Sequence, residues 1–154
     1  MTSPSPLIDR VFAYLVDYFL QMIITLIGLF ILSANSGAPL VDIDSRSGLE
    51  PFYLIFVFLV EPVYNIIFLF AMGNTTPGKK LLKLKIINLN DPEKLGWGQI
   101  IFREILKKVY YTMFSIISIP IDFVLITISK RKRSLIDYLA NTQVIKLAAN
   151  KESI

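Results

Sequence analysis

Residues 11–32 read VFAYLVDYFLQMIITLIGLFIL, from Val11 to Leu32, and this stretch decides the fold. It holds 22 residues with no Lys or Arg, close to the roughly 20 that an α-helix needs to cross a hydrocarbon core. One residue contradicts that reading. An ionised acid such as Asp17 costs on the order of 2.5–3.5 kcal/mol at the centre of a bilayer, so it is expected to face a bundle interior, a partner or a water-filled path.

Two further apolar stretches follow, Phe52 to Met72 and Val109 to Ile128, each of about spanning length. They carry the acids Glu61 and Asp122, and Pro62 directly after Glu61 removes a backbone donor and is expected to loosen the helix there. Composition agrees with a membrane protein: 54% of residues are hydrophobic, 18% are charged and the mean hydropathy is +0.59. The 154 residues suit a single domain. An apolar run this long without a small-residue cleavage pattern reads as a retained helix, not a removed leader.

Cys and His are both absent, which excludes disulfides, thiol nucleophiles, imidazole bases and the usual zinc sites. No cofactor or metal is expected, and no nucleophile and base pair suggests an enzyme. The sequence pI of about 9.3 is read as membrane topology and not as a nucleic-acid face.

Charge in the connections sets the expected orientation. Ser33 to Glu50 carries Asp42, Asp44 and Glu50 against Arg46, whereas Gly73 to Lys108 carries eight basic residues, including Lys79, Lys80, Lys83 and Lys85. The positive-inside rule therefore puts the acidic loop outside and the basic connection inside, with the first two segments forming a hairpin. The third segment is ambiguous. Arg103, Lys107 and Lys108 precede it and Lys130 to Arg133 follow it, so charge favours a segment that turns back near Pro120, while length favours one ordinary span.

Between the second and third segments an amphipathic surface region is expected. Thr76-Pro77-Gly78-Lys79 has the chemistry of a turn, with Thr76 as helix cap and Pro77 as first helical residue. It lacks the glycine spacing and the hydroxyl residue after Lys that a phosphate loop requires. Leu82 to Ile86 alternates as a half-buried strand does, and Trp97 to Tyr111 returns to helical spacing.

These residues together resemble the RDD family of small bacterial membrane proteins, named for one arginine and two aspartates. The likeness rests on Arg10 and Asp17 in the first segment, on Thr76-Pro77-Gly78-Lys79-Lys80-Leu81-Leu82, on Arg103, and on Asp137 ahead of Thr142-Gln143-Val144, and covers Leu7 to Lys146. It departs at Asn141, where Gly is common, and at Ile136, where His is common. The resemblance implies Arg10, Asp17 and Asp137 as the named trio, a bacterial cytoplasmic membrane location, and for some similar proteins Na⁺/H⁺ exchange.

The overall expectation is an all-α, multi-pass membrane protein: a helical hairpin plus a third membrane-embedded or spanning segment, with amphipathic cytoplasmic elements. Two sets of site residues follow. Glu61 and Asn65 lie four apart on one helical face, and with Asp17 would make a hard oxygen cluster suited to Na⁺ or H⁺. Arg10, Asp17, Arg103 and Asp137 would form one charge network. A transport-related role is expected first, and a structural or regulatory role through a partner second. Two or three helices enclose little space, so homo-oligomerisation is expected in either case.

Overall fold

The computed structural model describes residues 3–36, 50–92 and 95–147. The acidic connection, residues 37–49, lies outside the described residues. The first apolar stretch forms α1, Leu7–Ser36, whose 30 residues measure about 45 Å and so exceed a hydrocarbon core of about 30 Å. The second forms α2, Glu50–Ala71, which continues through Pro62 without a break. These two helices are the ones long and apolar enough to cross a membrane among the described residues.

Helix α2 ends because Gly73 and Asn74 both adopt left-handed backbone, at φ 68° and 69°. That conformation lets Asn74 N–H reach back to Leu69 O at 2.8 Å, closing the last turn. The chain then forms a short helix, α3 (Pro77–Leu81), and strand β2 (Leu84–Asn88). Asn74 O accepts from Ile86 N–H at 2.9 Å and Thr75 Oγ1 donates to Leu84 O at 2.8 Å, so the strand is tied to the end of α2.

The stretch from Val109 to Ile128 is not one helix. Helix α4 runs Trp97–Met113, and α5 runs Ser115–Ile128, with the break at Phe114 (φ −123°, ψ 30°) and not at Pro120. The cause is a polar contact: Tyr111 OH donates to Asp122 Oδ2. In a straight helix these residues would stand about 16 Å apart along the axis, out of mutual reach. The other Asp122 oxygen accepts from Leu135 N–H at 2.8 Å, at the start of α6 (Leu135–Leu139). With 14 residues, about 21 Å, α5 is too short to cross the core.

The chain's last described strand, β3 (Thr142–Lys146), lies between β2 and a two-residue strand, β1 (Ser3–Pro4), with both pairings antiparallel. Leu84 stands opposite Lys146 and Asn88 opposite Thr142, while Ser3 and Pro4 face Lys146 and Ile145. Among the described residues this small sheet is the departure from an all-helical fold. It gathers the start of α1, the region after α2 and the C-terminal strand at one end of the hairpin. Beneath it Ala13, Leu69, Leu84, Ile86, Ile100 and Val144 form the buried core.

Candidate functional site

The polar interior separates into three sites, the second and third of which share Arg103. The first belongs to Asp17, which is buried and has no cation within ion-pair distance among the described residues. Its carboxylate accepts from Thr76 Oγ1 at 2.5 Å, from Gly78 N–H at 2.8 Å and from Tyr64 OH at 3.1 Å. Thr76 does hold the N-cap position of α3 with Pro77 as first residue, but its hydroxyl does not bond the helix. Asp17 takes over that role from another helix, because the Gly78 N–H is one of the orphan donors of the first turn.

This docking requires glycine for a reason of distance. A Cβ at Gly78 would stand 2.1 Å from the Ala13 backbone oxygen and 2.9 Å from the Asp17 carboxyl carbon. Since the nearer obstacle is backbone, α3 would have to lift off α1. Gly78→Ala is therefore expected to lose about 1–3 kcal/mol, measured as the midpoint of chemical unfolding in detergent micelles.

Asp137 organises the second site. It is 1% exposed and bridges two guanidinium groups, Arg10 Nη1 and Arg103 Nη2, each at 2.9 Å. It also closes a capping box at α6, accepting from Ser134 N–H at 3.3 Å while Ser134 Oγ accepts from Asp137 N–H at 3.2 Å. Arg10 uses its remaining donors on Ser5 Oγ at 2.6 Å and on the carbonyls of Lys132 and Val144 at 2.5 and 3.3 Å. One arginine thus holds the chain's first strand, the turn before α6 and the central strand together. Burial alone would push the Asp137 carboxyl up, but Arg103 and Arg10 outweigh it and hold it below the ordinary carboxylate range.

The third site continues the second along α4. Arg103 Nη1 donates to Glu104 Oε1 at 2.7 Å, and the other Glu104 oxygen accepts from Asn65 Nδ2 at 3.0 Å. Burial disfavours charge on Glu104, yet Lys107 and Arg103 lower its carboxyl below the usual range. Arg103 and Lys107 are held above theirs, against their own burial, chiefly by Asp137 and Glu104 respectively. Glu61 takes Lys107 at 3.0 Å and Lys108 at 3.2 Å.

The structure thus brings together Arg10, Arg103 and Asp137 and leaves Asp17 out of that network. The expected oxygen cluster is not assembled either. Asp17, Glu61 and Asn65 each face a different partner set, and Asn65 acts as a donor to Glu104 where a cation would need its oxygen. The sequence reading passed over Glu104 and Tyr64. The signals were there: Glu104 is the acid next to Arg103 in a basic helix, and Tyr64 is a hydroxyl inside an apolar span, where it requires an acceptor.

The sequence profile of the RDD family matches residues 4–141. The chain is also similar to the uncharacterised membrane protein YteJ of Bacillus subtilis (strain 168), with 26% identity over 138 residues, covering 88% of this chain and 77% of the relative. No solved structure matches. The profile spans from the strand before Arg10 to the turn after α6, and so takes in the spans, the Asp17 dock and the Asp137 bridge: this membrane protein belongs to the RDD family.

Proposed function

We propose that this RDD-family chain crosses a bacterial cytoplasmic membrane twice and works, without catalysis, as a subunit of a homo-oligomer that engages a partner on its cytoplasmic side. In this reading the sheet, α3, α4 and α6 form the cytoplasmic platform, in keeping with the basic residues they carry. The observation that carries it is the occupancy of the acids. Asp17 is sealed by three internal donors, Glu104 is held by Asn65 and Arg103, and Glu61 is paired with two lysines. Groups arranged this way fix helices against one another.

A second reading, cation or proton exchange, is favoured by one detail. Glu61 lies within α2, its side chain keeps 26% of its surface exposed, and both its partners are amines that can exchange protons. Two spans do not enclose a path, so exchange would also require an oligomer.

Proteoliposomes carrying the purified protein separate the two. Under an imposed pH gradient with a pH-sensitive dye inside, added Na⁺ is expected to produce no change beyond that of empty vesicles. A Na⁺-dependent signal from wild type that vanishes in Glu61→Gln would replace the partner reading with exchange.

A further inference from the structure

Helix α5 has the polarity of its faces reversed. Ser118 and Asp122 are among its buried residues, while the positions turned outward are apolar, with Ile116 88% exposed and Phe123 and Ile128 exposed as well. A helix packed on a platform in water shows the opposite distribution, apolar inward and polar outward. From Val109 to Ile128 the one charged residue is Asp122, and it is spent on the fold, accepting from Tyr111 OH and from Leu135 N–H.

Contacts along α4 place the turn that precedes α5. Trp97 stacks on Phe70, near the end of α2, with ring centroids 3.8 Å apart. Glu104 meets Asn65 at 3.0 Å, Lys107 meets Glu61 at 3.0 Å, and the Lys108 amine stands 4.9 Å from the centroid of the Phe58 ring. Phe70 and Glu61 are about 14 Å apart along α2, and Trp97 and Lys107 about 15 Å apart along α4, so the two helices run side by side in opposite directions. Helix α4 thus travels from the end of a membrane span toward its middle. It continues to Met113, so the turn at Phe114 lies farther along the span than the Glu61 ion pairs. Helix α5 then leads back toward the platform, where Asp122 meets Leu135 and Ser129 Oγ lies 2.9 Å from Tyr138 OH.

We propose that the C-terminal end of α4 and the whole of α5 form a wedge inserted into the leaflet nearest the sheet, with the turn at Phe114 deepest, the outer face of α5 against acyl chains, and Lys130 and Arg131 at the headgroups. At about 21 Å, α5 can enter a leaflet and return but cannot cross the core. The exposed Lys130 and Arg131 directly after it carry the charge that anionic headgroups attract.

Acyl chains suit this face better than a second helix does. Helix contacts inside a bilayer rely on small residues that let backbones approach closely. Helix α5 contains neither Gly nor Ala, buries Ser118, and turns bulky Ile116, Ile119 and Phe123 outward. The wedge needs no protein partner, and it forms whichever compartment the sheet faces.

The chain has no Cys, so nitroxide labels can be placed singly on the full-length protein in phosphatidylglycerol-containing liposomes. Ile116→Cys, Phe123→Cys and Ile128→Cys change exposed side chains and leave the packed face of α5 intact. At each label, collision with oxygen, which concentrates among acyl chains, is compared with collision with a water-soluble nickel chelate. Phe30→Cys on α1 supplies the lipid reference and Asn90→Cys, in the turn after β2, the aqueous one. The oxygen-to-nickel ratio at Ile116 and Phe123 is expected to exceed that at Asn90 several-fold, to approach that at Phe30, and to fall from Ile116 to Ile128. A ratio at Ile116 equal to that at Asn90 would put the turn in water and overturn the wedge. An even ratio from Ile116 to Ile128 would lay α5 flat and overturn it as well. Weak collision with both reagents, with spin broadening that disappears on dilution by unlabelled chain, would overturn it in favour of a second copy covering the face.

Discussion

Asp137→Asn is expected to destabilise the protein by about 3–5 kcal/mol, because it leaves Arg10 and Arg103 facing one another without the charge that bridges them. Both arginines remain held by other acceptors, so they cannot simply swing into water. Arg10 is fastened to Ser5, Lys132 and Val144, and Arg103 to Glu104. The change is read as the midpoint shift in chemical unfolding of micelle-bound protein, alongside Arg10→Gln and the double variant. If the pair acts as one unit, the double variant loses less than the two single losses combined.

The same bridge gives a pH signature. The Asp137 carboxyl sits below its free value of 3.8 in the folded state, so its contribution is complete at neutral pH and drains away as pH falls below 3.8 through the lower folded value. Glu104 adds a loss of the same sign below 4.5. Wild-type stability should therefore fall on acidification over this window, and Asp137→Asn should flatten part of that fall. An unchanged slope in the variant would remove Asp137 from the network.

Asp17→Leu comes next, with an expected loss of about 3–6 kcal/mol. It strands the Thr76 hydroxyl, the Gly78 amide and the Tyr64 hydroxyl in a buried setting, at about 1–3 kcal/mol for each orphaned group. Asp17→Asn should cost only about 1 kcal/mol, since one amide oxygen still accepts from Gly78 and Tyr64 while the Thr76 hydroxyl turns to accept from the new amide. This ranking separates an architectural acid from one whose charge alone matters. Equal losses in the two variants would mean that Asp17 acts through its charge, and not as the acceptor that docks α3 onto α1.

Much of this was legible in the chain. Helices α1 and α2 follow from length and apolarity, the Thr76-Pro77 start of α3 from capping chemistry, the importance of Asp17 from a charge placed where solvation is expensive, and that of Arg10, Arg103 and Asp137 from the family resemblance. The partners were not legible. Asp17 and Arg10 share a helix face at seven-residue spacing, which suggested one network, but that spacing does not say that α3 docks between them. Glu61 and Asn65 share a face as well, and α4 approaches it with Lys107 and Lys108 at one residue and Glu104 at the other. The break at Phe114 was hidden for the same reason. Nothing local marks it; it depends on Tyr111 meeting Asp122 across a fold in the chain. Strand β3 is buried along nearly its whole length and so lacks the alternation that identifies a half-exposed strand.

The central place of β3 also sets a timetable for biosynthesis. Arg10 leaves the ribosome 127 residues before Asp137, and Ser5 precedes its acceptor Val144 by 139. At about 5–20 residues per second, Arg10 waits roughly 6–25 s for its partner. During that interval the hairpin is already a substrate for membrane insertion, while its guanidinium must stay in the aqueous or headgroup layer. Until β3 is made, the strands on either side of it lack their shared partner, and until Asp137 is made Arg10 lacks its counter-charge, so a chain halted earlier exposes the open sheet edge and unpaired charge that leave unfinished proteins open to triage by chaperones and proteases.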